Sequence, residues 1–412
     1  MLRELGASFE HFAEINLEYL PQAESIFESD LDPERIIREL SILTQTRIIP
    51  GKTLLFFDEA QAAPRSITAL RYFYEKLPQL HVLAAGSLLD FAIEEVGIPV
   101  GRVESLYMYP VSFFEFLIAY GEKLLAMALI QHEPTKPMAT AIHEKLLHRL
   151  AEYSLIGGMP EVVQSYIVEK DPLRCFQVQH ALLDTYAQDF HKYASKRQIK
   201  YLELIFSAVP RVLGKRFKYS EIHGEYRKRE LAPALDLLVT AGIVHRVYHS
   251  DGQGLPLMSQ IDPDCFKLLL LDIGLAQAAL GNDLSSWLLS PEIAFVNKGE
   301  IVEAFVGQEL LAYSSPHAKI NLNYWQRHAP SSSAEVDYLI VRNQTVVPLE
   351  VKSGPGSTLK SLHLFLQSHH DSPMGLRFSI RNFAEDDTIK SLPLYAVASL
   401  ISDKNILLRM CE

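Results

Sequence analysis

Asp337, Glu350 and Lys352 are two carboxylates and an ammonium close enough in sequence to share one β-hairpin. If Arg342-Asn343-Gln344-Thr345 forms the turn, residue 337 faces residue 350, and their Cβ atoms lie about 5 Å apart on one face. Carboxylates at that distance repel unless a cation separates them. Mg²⁺ or Mn²⁺ is the natural cation, and Glu303 on a preceding helix could complete its oxygen shell. Lys352 lies two residues beyond Glu350 and shares its face, where it could position or deprotonate a water. The plainer alternative is an edge-strand charge pair, with Glu335 opposite Lys352 in a surface salt bridge.

A second pair of acids, Asp58 and Glu59, ends the apolar run Leu54-Leu55-Phe56-Phe57. Such a run suits a buried parallel strand, and ligands bind at the carboxyl ends of such strands. At a nucleotide site the first acid would hold Mg²⁺ and the second would polarise water. The next strand, Leu80–Ala85, leads into Gly86-Ser87, and Ser87 could face the same pocket.

These groups need a scaffold, and the chain has the material for one. Its 412 residues, 48% of them hydrophobic, suffice for two to four domains. The net charge of −11 removes any global attraction to nucleic acid or to an anionic membrane. Residues 196–250 are nevertheless basic, with 11 bases against 5 acids, whereas residues 1–60 carry 12 acids and 5 bases. Cys175, Cys265 and Cys411 lack metal-ligand spacing, which fits a reducing, cytoplasmic setting. No apolar run is long enough to cross a bilayer. The pattern predicts alternating helix and strand to about residue 117, helix to about 250, and mixed α/β structure beyond. A helix over 299–311 has apolar residues at 302, 305, 306 and 310. Strands are expected at 319–326, 335–342 and 345–352, then a helix near 357–370 and a strand near 376–380.

Several motifs recur in an order that resembles a prokaryotic AAA-type ATPase family carrying a C-terminal domain of unknown function of the 4143 type. They are Asp58-Glu59-Ala60-Gln61, Gly86-Ser87, Gly101-Arg102, Pro110-Val111-Ser112-Phe113-Phe114-Glu115-Phe116, Gly157-Gly158-Met159-Pro160-Glu161 and Leu271-Asp272-Ile273-Gly274-Leu275. The resemblance implies ATP as cofactor, Asp58 and Glu59 as Walker B acids, Ser87 as a sensor-like residue and Arg102 as a phosphate-facing arginine. The departure is the phosphate loop. Gly51-Lys52-Thr53 lacks the upstream glycine and precedes a strand rather than a helix. The first strand, the loop and most of the first helix are expected to be missing, and ATP hydrolysis by this chain is not expected.

Residues 200–250 resemble a winged-helix module, with Lys215, Arg216, Lys218, Arg227, Lys228 and Arg229 around the candidate recognition helix and able to contact phosphates. The order helix, three strands, helix, strand after residue 299 resembles the restriction-endonuclease core, whose Asp…Glu-x-Lys pattern falls on Asp337, Glu350 and Lys352. The expected fold class is multidomain α/β. It has a truncated AAA-type parallel-sheet core at 1–125, a helical lid at 126–198, a winged-helix-like connector at 199–255 and a restriction-endonuclease-like α/β domain at 256–412. The implied activity is Mg²⁺-dependent binding or cleavage of nucleic acid, through residues 211–229 and the C-terminal domain. The competing reading is a non-catalytic DNA- or protein-binding module that keeps relic sites.

Overall fold

The computed structural model describes residues 2–411 apart from 87–88, 90–92, 94–95, 98–100, 194–195, 282–294, 296–297, 328–333, 355–357, 387 and 402–403. It divides into two compact units, residues 1–106 and 107–412. The expected boundary at 125/126 is therefore corrected. The helix Phe113–Ala119 buries Phe113, Phe114, Phe116 and Leu117 in the core of the second unit, which draws its chain segment there.

In the first unit, β1 (His11–Asn16), β2 (Thr53–Asp58) and β3 (His81–Ala84) form a parallel sheet in that order. β2 is central, and its run Leu54–Phe57 is buried throughout, as a parallel strand covered on both faces requires. The helix Pro33–Thr44 begins at Asp32, whose carboxylate accepts the Arg35 amide at 3.3 Å, and stops at Gln45 in the left-handed region. The helix Arg65–Lys76 carries the chain from the carboxyl end of β2 back to the amino end of β3. Ile36, Leu40, Phe57, Ile67 and Phe73 fill the space between helices and sheet.

The second unit is built on eight strands: β4 (Val244–Ser250), β5 (Ile261–Leu270), β6 (Leu322–Gln326), β7 (Glu335–Arg342), β8 (Thr345–Lys352), β9 (Gly375–Ser379), β10 (Ala384–Asp386) and β11 (Ile389–Pro393). Their order across the sheet is β10-β11-β9-β8-β7-β6-β4-β5. The helix Gly299–Ala312, β6, β7, β8, the helix Lys360–Ser368 and β9 follow the expected sequence of elements. Two further boundaries are corrected. The one at 198/199 falls inside the helix Lys196–Ala208. The one at 255/256 separates β4 from β5, which pair antiparallel, and β4 also pairs in parallel with β6. Val244, Val247, Leu268 and Leu269 consequently share one core with the C-terminal strands.

The segment expected to form a winged helix has the helix Lys196–Ala208, a backbone bridge from Arg216 to Lys267, the helix Lys228–Thr240 and the β4–β5 pair. Gly242, at φ +70°, makes the turn between the second helix and β4.

Candidate functional site in the C-terminal unit

The turn chemistry sets the hairpin. Asn343 and Gln344 both lie in the left-handed region, at φ 48° and 62°, as a two-residue turn of this hand requires. β7 and β8 then pair from Arg342↔Thr345 to Tyr338↔Leu349, the register expected from the sequence. The ladder ends one pair short of Asp337 and Glu350. In its place Asp337 Oδ2 accepts the Val351 amide at 2.6 Å.

The expectation that this hairpin buries one face and presents its acids on the other is corrected. The pairing of β7 with β6 slips between Asn323 and Trp325, so Val336 joins Leu339, Val346 and Phe365 instead of alternating with Tyr338. Phe365 brings the helix Lys360–Ser368 onto that face. The other face takes the helix Gly299–Ala312, where Gly307 allows a close approach: a Cβ there would lie 2.4 Å from the Tyr338 hydroxyl. Both faces are covered, and Glu350 is only 3% exposed.

The four predicted residues fall into two groups, each organised by a lysine. In the first, Lys267 Nζ lies 2.7 Å from Glu303 Oε1, 2.5 Å from Glu335 Oε1 and 4.0 Å from Asp337 Oδ1. Burial opposes the charge of Lys267, but Glu303, Asp337 and Glu335 together hold its ammonium well above the ordinary lysine range. Burial raises Glu303 and Asp337 in turn, against the pull of the same lysine. In the second group, Lys352 Nζ pairs with Glu350 Oε1 at 2.6 Å, within its own strand. Glu350 Oε2 is buried without a protein partner, as are Nε and Nη2 of Arg377, the residue paired with Glu350 across β8 and β9.

Asp337 stands between the groups, whereas Glu303 belongs to the first and Glu350 and Lys352 to the second. The arrangement does not fit a divalent cation shared by Asp337, Glu350 and Glu303. Among the described residues no three His, Cys, Asp or Glu side chains converge to hold one. Glu335, expected as a partner of Lys352, turns to Lys267. Lys267 itself escaped the sequence reading, although a lone lysine inside Cys265-Phe266-Lys267-Leu268-Leu269-Leu270 was a visible signal.

At the N-terminal unit, Asp58 Oδ2 accepts from Asn16 Nδ2 at 2.8 Å, and Glu59 takes a left-handed conformation with Gln61 Nε2 donating to its Oε2. Lys52 lies at the amino end of β2 and pairs with Glu10 at 2.8 Å. A strand of this length separates the two ends by about 20 Å, so Lys52 and Asp58 do not serve one phosphate. Arg102 donates to Glu75 at 3.2 Å, near the end of the helix Arg65–Lys76 that leads to the amino end of β3. The arginine implied to face a phosphate is thus placed beside Glu75. Ser87 lies outside the described residues.

The motifs of the middle region form a buried junction. Asp272 accepts from the Gly158 amide at 2.6 Å and from the Leu275 amide at 2.9 Å. Gly158 leaves no room for a Cβ, which would lie 2.2 Å from the Val111 carbonyl oxygen, and Gly274 none against the Ile156 carbonyl at 2.5 Å. Gln308 accepts from the Ile273 amide and donates to the Tyr153 hydroxyl, and Glu309 accepts from the Phe113 amide. Burial raises Asp272 to about 6 and Glu309 to about 8. Gln308 and Glu309, given no role in the sequence, follow the apolar stretch Ala304–Gly307 of their helix.

Residues 1–117 match a family model described as an AAA domain. Residues 147–286 match DUF8612, and residues 298–397 match DUF4143, each described as a domain of unknown function. No curated protein matches the chain. Among solved structures, the crystal structure of protein VC1899 from Vibrio cholerae is similar at 14% identity over 92% of this chain and 95% of that one, with a TM-score of 0.18. Along the chain the similarity thus runs from an AAA domain over residues 1–117 to two domains of unknown function.

Proposed function

We propose that this AAA-type chain engages nucleic acid through the 211–229 segment of its C-terminal unit, and that it binds without cleaving. The observation that carries the reading is the concentration of exposed cations there. Arg211, Lys215, Arg216 and Arg229 are exposed and have no carboxylate at ion-pair distance among the described residues. Lys218 and Lys228 are paired, with Glu221 and Asp264. A protein of net charge −11 gathers unpaired cations on one segment at an electrostatic cost, which phosphate contacts would offset.

The absence of cleavage from the reading rests on the two lysines that engage the candidate acids. ATP hydrolysis is left out because Lys52 and Asp58 stand at opposite ends of β2.

Fluorescence anisotropy with labelled duplex and single-stranded oligonucleotides tests the proposal. Binding is expected to weaken steeply with salt. Replacing Arg211, Lys215, Arg216 and Arg229 together by alanine should make the slope of log K against log salt shallower by about 3 to 4 units. No binding at low salt would remove the nucleic-acid reading. Substrate cleaved in Mg²⁺ or Mn²⁺ by the parent and left intact by Lys352→Ala would restore the nuclease.

A further inference from the structure

The cations of residues 211–229 stand on fixed backbone at two places. Lys215 and Arg216 lie on a stretch tied to β5 by the Arg216–Lys267 bridge and by the Phe217 amide, which donates to the Phe266 carbonyl at 2.8 Å. Arg227, Lys228 and Arg229 stand at the amino end of the helix Lys228–Thr240. Beyond its first turn that helix changes character. Its remaining exposed positions are Pro233 and Asp236, and the Asp236 carboxylate is paired with Arg246 of β4. A helix lying in a major groove needs donors and acceptors along its outer side to meet the edges of nucleobases. This one offers Arg229, then a ring without polar atoms, then an acid that phosphates repel.

Stacking on bases is closed as well. No tyrosine or phenylalanine between residues 201 and 248 is exposed. Tyr219 packs edge-on against Phe217 and has the Lys228 ammonium 6.0 Å from its ring centre. Tyr226 packs edge-on against Tyr201, with the Lys200 ammonium at 5.1 Å. Proteins that hold single strands stack successive bases on aromatic faces, and these faces are taken.

We infer that this surface takes a double-stranded nucleic acid by its phosphates alone, without reading the sequence. The inference rests on the nucleic-acid binding proposed above and narrows it to a substrate class. A duplex carries one negative charge per about 1.7 Å of its axis, so exposed cations release more counterions from it than from a single strand. With neither base edges nor base faces engaged, charge density decides what is bound.

The test is fluorescence anisotropy of the full chain at low salt. The probes are duplexes of equal length and composition but scrambled sequence, and a single strand of the same length. The duplex affinities should agree within about twofold, since one base pair that was read would already separate them by about fivefold or more. The single strand should bind about fivefold or more weaker. Arg229→Ala and Lys215→Ala should each weaken all duplexes by the same factor, with an unchanged melting temperature and a salt slope shallower by about 1. A preferred sequence among the scrambled duplexes, or tighter binding of the single strand, would overturn the inference and leave nucleic-acid binding in place. Loss of such a preference in Arg229→Ala would identify the residue that reads it. No binding to any of these probes would remove both.

Discussion

Gly157→Ala is expected to lower the stability of the C-terminal unit by about 4 kcal/mol or more. Gly157 ends the helix Thr140–Ile156 at φ 72°, ψ −168°, a backbone region that essentially only glycine occupies. A Cβ there would also lie 2.1 Å from Asp272 Oδ1. That oxygen cannot swing aside freely, because it accepts the Leu275 amide while Oδ2 of the same carboxylate accepts the Gly158 amide. Backbone strain of about 1–3 kcal/mol, overpacking of similar size and loss of a charge-assisted buried hydrogen bond therefore add in one substitution. Gly281→Ala is the control. It has φ 64° and no atom within 4 Å of the added carbon, so it should cost only about 1 kcal/mol. Urea unfolding followed through tryptophan fluorescence compares the two, and a Gly157→Ala loss no larger than the Gly281→Ala loss would refute the clash.

The same junction explains why so much of the fold was legible and the site only in part. Gly157-Gly158, Asp272-Ile273-Gly274 and Pro110–Phe116 are far apart in sequence, yet they meet where a helix end, a strand end and a second helix cross, so their motifs record close packing. Periodicity located β7, β8 and the helix Gly299–Ala312, and Asn343-Gln344 held the hairpin in its expected register. What the pattern could not express was the partner of each charge. Lys267 reaches its acids across two intervening strands, a relation with no local period or spacing. The slip between β6 and β7 likewise depends on neighbouring strands, so the face taken by Val336 was beyond a rule of alternation.

Glu309 is expected to make the parent's stability fall with rising pH over a window in which its surface ion pairs stay constant. Burial lifts it to about 8 from an unfolded value of 4.5, assisted by the Glu115 charge and opposed by hydrogen bonds from the Phe113 amide and the Tyr313 side chain. Between pH 4.5 and about 8 the folded chain keeps a proton that the unfolded chain releases. The stability tied to that proton is full below 4.5 and is lost as the pH rises through about 8, on the order of 4 kcal/mol in all. Asp272 adds the same sign over the lower range, from 3.8 to about 6. His245 has the opposite sign: burial holds it down to about 4, so its contribution grows with pH up to 6.5. Carboxylates lowered by ion pairs, such as Glu122 beside Lys145 and Arg149, change only below their ordinary value of 4.5. Glu309→Gln keeps the shape and an acceptor for the Phe113 amide but cannot ionise, so the difference between variant and parent cancels the other groups. The urea midpoints should be nearly equal at pH 5, and the variant should be the more stable by about 2–4 kcal/mol at pH 8.5. Parallel stability profiles across that range would mean that Glu309 is ionised in the folded chain at neutral pH.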